Sequence, residues 1–154
     1  MQAEKADTKV FLVDMGLLYL RIAASILLLA VHGLPKVLHY SSEAAAIEDP
    51  FHFGKTLSIS FAIFAEVICP PLIILGIATR LAALPILFVT VIALVFVHRD
   101  WTLAQGQFAW MLLILFGTIA IAGPGQYRVS RWGKWQRPAG GTGDRRSESG
   151  RREI

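Results

Sequence analysis

Charge is scarce in this chain: 17% of its 154 residues are Asp, Glu, Lys or Arg, where an ordinary soluble domain carries roughly a quarter. The shortage is concentrated in long runs that hold almost no ionisable group, which excludes a soluble globule with a half-polar surface. It equally excludes a disordered chain, which needs low hydrophobicity and high charge. Cysteine is nearly absent. Cys69 stands alone, so neither an internal disulfide nor a CxxC redox pair can form, and a disulfide-rich secreted module is excluded. There is no Gly-rich nucleotide loop, no GxSxG elbow and no cysteine run for an iron–sulfur cluster. The alternation of a porin strand is missing as well.

Apolar residues fill the space. They make up 55% of the chain, and the mean hydropathy is +0.55. Four segments carry them: Gly16–Leu38, Leu57–Ile77, Leu81–His98 and Gln107–Gly123. Each has about the length needed to cross a hydrocarbon core of roughly 30 Å at 1.5 Å per residue. The expected fold is therefore all-α, an integral membrane four-helix bundle. The first segment runs on into Leu34–Pro35–Lys36 without a small-residue cleavage pattern, and is read as a retained span.

Charge divides the chain into three parts. Residues 1–14 sum to −1, residues 15–124 to zero and residues 125–154 to +5. Four spans place both termini on one side, and Arg128, Arg131, Lys134 and Arg137 after the last span mark that side as cytoplasmic. Arg80 in the turn between spans two and three agrees. So do Glu43, Glu48 and Asp49 in the first outer loop. Residues 137–154, rich in Gly, Arg, Ser and Glu, are expected to be a disordered stretch of the tail. No recognition module accompanies the basic tail, so nucleic acid is not an expected partner.

The exceptions inside the apolar runs are the candidate functional residues. Glu66 lies about 13 Å from the outer end of span two, counted at 1.5 Å per residue. A carboxylate at that depth is either neutral or paired and faces the bundle interior. Pro70 and Pro71 deprive the carbonyls of Glu66 and Val67 of their i+4 donors, which predicts a bend and a small polar pocket beside the acid. Arg21 lies about 7–8 Å in from the cytoplasmic end. It either snorkels to the headgroups or reaches across toward Glu66. Glu66 and Arg21 are thus the candidate catalytic pair.

His32 and His98 fall at similar height in the outer parts of spans one and three. Equal height suits a haem or metal, but no HxxxH spacing or third ligand accompanies them, so no metal site is assigned. A quinone headgroup fits better, because it wants hydrogen-bond donors at the membrane edge beside an apolar cleft. His32, Lys36, His98 and Arg99 are the candidate donors, against the plainer reading of solvated helix ends. Cys69 borders the Glu66 region either as part of that pocket or as an inert buried thiol.

Taken in order, these residues resemble the DoxX family of small four-helix membrane proteins. The likeness rests on Arg21, His32–Gly33–Leu34–Pro35–Lys36, Glu66, Leu75–Gly76–Ile77–Ala78–Thr79–Arg80–Leu81–Ala82–Ala83, His98 and Gly123–Pro124–Gly125–Gln126–Tyr127. It covers about residues 16–132. The family usually continues the last motif with serine, an apolar residue and aspartate, where this chain has Arg128–Val129–Ser130. The resemblance implies an inner-membrane protein, some relatives looking like the membrane part of thiosulfate:quinone oxidoreductases. It places Arg21, Lys36, Glu66, Arg80 and His98 on the family's polar positions. Three functions follow as expectations: a quinone-interacting subunit of an oxidoreductase complex, an assembly or scaffold subunit for soluble redox partners, and a small-molecule transporter.

Overall fold

The computed structural model describes residues 2–129. Among the described residues every regular element is helical and none is a strand. Three helices are long and apolar enough to cross a membrane. The first contains the candidate span Asp7–Leu38, the second is Lys55–Leu75 and the third is Thr79–Val97. The fourth, Gln107–Ala122, is equally apolar but has 16 residues, about 24 Å of helix. Neighbouring helices pack in sequence order and the fourth closes the ring against the first. Both described ends of the chain therefore lie at one end of the bundle, here the terminal end; the other is the loop end.

The first helix starts at Gln2 and runs unbroken to Leu28 before a π turn at Leu29–Gly33 and a last stretch at Leu34–Leu38. The helix that carries the first span therefore begins well before Gly16. The loop after it holds a further short helix, Tyr40–Ala46, which the charge reading treats only as loop. Its three consecutive alanines supply the helix propensity.

Proline explains two of the three π turns. Pro35 has no amide to give, and the chain before it widens so that the Leu34 amide bonds to Leu29 O. In the second helix Pro70–Pro71 follow the π turn Phe64–Ile68, and the Cys69 amide bonds to Phe64 O. Where the sequence predicts a bend beside Glu66, the helix carries a widened turn. A third π turn, Ala93–Val97, ends the third helix.

The bundle centre is largely apolar. Ala24, Leu28, Ala65, Cys69, Ile73, Ala83, Ile86, Phe116 and Ile119 form one contiguous buried cluster drawn from all four helices. Large apolar residues such as Leu81, Phe88, Ile114 and Ile121 point outward instead. In water such faces would be costly, about 25 cal/mol per Å² of apolar area. In lipid they are the proper surface.

Candidate functional site

At the terminal end, Arg21 is 1% exposed. It does not snorkel and it does not meet Glu66. Its Nη2 donates to Ile74 O at 3.0 Å and Tyr127 O at 2.8 Å, and its Nη1 donates to Pro124 O. Ile74 sits in the last turn of the second helix, and Pro124 follows the fourth. The Ile74 carbonyl, in the last turn, has no intrahelical donor and lies at the negative end of its helix dipole, while those of Pro124 and Tyr127 belong to the stretch past the fourth helix. A guanidinium suits this place because its planar fork serves several acceptors at once. Arg80 acts similarly, donating to Ile121 O at 3.1 Å. Asp14 accepts the Gln126 amide at 3.0 Å. The stretch after the fourth helix is thereby bound back onto the first.

Gly76 makes that docking sterically feasible. It ends the second helix at φ +72°, and a Cβ there would lie 2.7 Å from Cβ of Arg128. Both the left-handed backbone and the close approach exclude a side chain.

Toward the loop end, Glu66 pairs with Lys36. The ammonium lies 2.6 Å from Oε2, and the two side chains are 16% (Lys36) and 9% (Glu66) exposed. Lys36 also donates to His32 O at 3.3 Å. Side chains on a helix lean toward its N-terminus. Lys36, near the loop end of the first helix, therefore leans inward to the acid, whereas Arg21 leans away from it. That direction was the signal in the sequence that separates the two candidate partners.

His32 completes the group. Its ring lies 5.1 Å from that of Phe108 on the fourth helix, and its Nε2 is buried with no hydrogen-bond partner. Close approach of the first two helices holds the cluster together. A Cβ on Gly33 would come within 3.1 Å of the Glu66 carbonyl carbon, so only glycine lets the first helix lie against the π turn that carries the acid.

His98 and Arg99 stand elsewhere. They line a half-open cavity of about 310 Å³ between the third and fourth helices, with Val91, Leu94, Trp101 and Trp110 among its walls. The His98 ring stacks on Trp101, with centroids 3.7 Å apart and planes 7° from parallel. The volume lies at the lower end of the range for small-molecule sites, roughly 300–1,000 Å³. The six candidate residues thus occupy three places: Arg21 at the terminal clamp, His32, Lys36 and Glu66 in one polar cluster, and His98 and Arg99 at the cleft. The sequence reading assigned no role to Asp14 or Phe108, and took Trp101 and Trp110 only as rings at the headgroup level, not as walls of a cleft.

Beyond the spans, the loop between the first and second helices is fixed by Asp49. Its carboxylate accepts from the amides of Phe53 and Gly54 and from the Ser58 hydroxyl, at 3.1, 2.6 and 3.1 Å. Desolvation, the largest single influence, pushes its pKa up, but the hydrogen bonds from Gly54, Ser58 and Phe53, with the nearby His52, together outweigh it and hold the group below its usual value.

Apolar helices with outward-facing aliphatic side chains and an ion pair between them define a small helical membrane protein. The chain belongs to the DoxX family, whose model matches residues 16–99, more than half of its length. Arg21, His32, Lys36, Glu66, Arg80, His98 and Arg99 all fall within the match, while the Gly123–Tyr127 motif follows it. No curated protein and no solved structure matches the chain.

Proposed function

We propose that this protein is a quinone-interacting membrane subunit of an oxidoreductase complex, and that the quinone binds in the cleft between the third and fourth helices. The observation that carries the reading is the placing of His98 and Arg99 at a cavity whose other walls are Val91, Leu94, Val95, Leu113 and two indoles. A quinone needs a hydrogen-bond donor for a carbonyl oxygen, a flat apolar surface for the ring and an aliphatic channel for the tail. The imidazole and guanidinium offer the first, Trp101 and Trp110 the second and the branched aliphatics the third. When bound, the quinone would supply the two-electron chemistry, and soluble oxidoreductase partners the electrons.

The same reading has the fourth helix crossing the bilayer with the other three and both termini in the cytoplasm of a bacterial cell. The basic residues 131, 134 and 137 that argue for this lie outside the described residues, as does the expected disorder of 137–154. The cleft then opens near the outer headgroup level, where amphipathic rings such as Trp101 settle.

Because two of the walls are indoles, binding has a direct optical readout. A short-tailed quinone titrated into the purified full chain should quench tryptophan fluorescence saturably. Replacing Trp101 and Trp110 together by Phe should remove the saturable part, and His98→Ala should weaken the apparent affinity at least tenfold. Quenching that is linear in quinone, or indifferent to these substitutions, refutes the proposal.

A further inference from the structure

The polar cluster of His32, Lys36 and Glu66 is not needed by the quinone cleft, and its surroundings differ in kind. We propose that it is a proton-exchange site that is loaded from the loop end of the bundle and closed from the terminal end. The inference goes beyond the quinone reading and stands without it.

Three observations support it. First, the cluster combines a carboxylate, an ammonium and an imidazole nitrogen that is buried without a partner. Buried nitrogen atoms of histidine are normally hydrogen-bonded, so an unengaged Nε2 beside an ion pair is a site for a mobile proton donor or acceptor. Second, the route to the loop end is short. Lys36 stands two residues before the end of the first helix and keeps part of its side chain open. Third, the opposite direction is blocked. Below Glu66 lie Cys69 and Ile73 on its own helix, Ala24 and Leu28 on the first, Ala83 and Ile86 on the third, and Phe116 and Ile119 on the fourth, all buried. Beneath these, Arg21 fills the end of the bundle and is tied to three carbonyls.

The charged and titratable groups near Glu66 are few. The first helix contributes Lys36 and His32, its own helix contributes Cys69, and Glu43 of the short outer helix acts on His32. The third helix has no ionisable residue between Arg80 and His98, and the fourth has none from Gln107 to Ala122. Ser25 is the one buried hydroxyl on the first helix between Arg21 and the cluster. On the third helix Thr90 is spent on Ile86 O and Thr79 sits at the terminal end, so these hydroxyls make no continuous chain over the roughly 16 Å from Arg21 to His32 along the first helix. The step itself is simple: a proton from water at the loop end adds to a Glu66 carboxylate oxygen, converting the ion pair into an ammonium beside a neutral acid, and the reverse step returns it to the same side.

The test is a pH jump on the full chain in liposomes, with an impermeant pH dye in the outer medium and an N-terminal tag to sort the two orientations. Other carboxylates also titrate, so the quantity read is the difference between wild type and Glu66→Gln. With the loop end facing the medium, wild type should take up one more proton per chain than E66Q, and His32→Phe should slow that uptake at least tenfold. With the terminal end outward, the fast difference should vanish. Equal uptake in both orientations, or none in either, overturns the proposal. Circular dichroism confirms that E66Q is folded. Retained quinone quenching in E66Q shows that the cleft is intact, so the two readings fail separately.

Discussion

Removing one partner of the Lys36–Glu66 pair should cost far more than removing both. At 2.6 Å and an effective dielectric of about 20, the mutual attraction is roughly 6 kcal/mol. Desolvation of the two ions, several kcal/mol each, consumes most of that gain. The intact pair is thus close to neutral for stability. Glu66→Leu leaves an ammonium stranded among helices, and Lys36→Met leaves a carboxylate, at an expected cost of about 3–5 kcal/mol each. The double replacement Lys36→Met with Glu66→Leu strands nothing and should lie within about 1.5 kcal/mol of wild type, since volume and apolarity are kept. The corresponding interaction energy is at least about 3 kcal/mol, well above the few tenths expected for independent sites. Reversible unfolding of the four proteins in mixed micelles, followed by far-UV circular dichroism, measures it. Additive costs would show that the two residues do not share one buried ion pair, and would remove the basis for the cluster.

Arg21→Lys keeps the charge but cannot serve three carbonyls in two segments. Hydrogen bonds from a charged donor contribute about 1.5–3 kcal/mol each, so the variant should lose at least 2 kcal/mol and expose residues 123–129 to limited proteolysis, while unchanged protection would refute the clamp. Gly33→Ala drives a methyl into the Glu66 carbonyl and should destabilise by about 1–3 kcal/mol, read by the same micelle unfolding; a neutral effect would mean that the two helices are not in close contact. Asp49 is held below its usual pKa by its loop partners. Its contribution is therefore fully present above the unfolded value of about 3.9 and is lost as pH falls through the lower folded value. Protease sensitivity of the 49–54 loop should rise across that acid window in wild type, and Asp49→Asn should be sensitive at every pH; matching profiles would contradict the assignment.

The helical spans were legible because hydropathy over a twenty-residue window is a sum, insensitive to side-chain detail. The irregularity at Glu66 was legible too, because a missing proline amide is a local fact. Pairing was not. The sequence reading left Arg21 either snorkelling or reaching toward Glu66, and did not set Lys36 against the acid: Arg21 leans to the terminal end, where the carbonyls of Ile74, Pro124 and Tyr127 accept from it, and Lys36 leans inward. The clamp itself joins Asp14 and Arg21 to residues more than a hundred positions away, and it uses a main-chain amide and main-chain carbonyls, which every sequence has. Nor does spacing reveal that His98 and Arg99 face a cleft apart from His32 and Lys36, since only packing of the third helix on the fourth separates them. The family match adds a class of protein and no ligand.

The quinone assignment is tested most directly by what the protein carries out of the membrane. The full chain, extracted in mild detergent, should retain quinone in stoichiometric amount, recoverable by organic solvent, and a double His98→Ala, Arg99→Ala variant at equal yield should retain none. Quinone absent from the wild type, or equal in both preparations, would contradict the account.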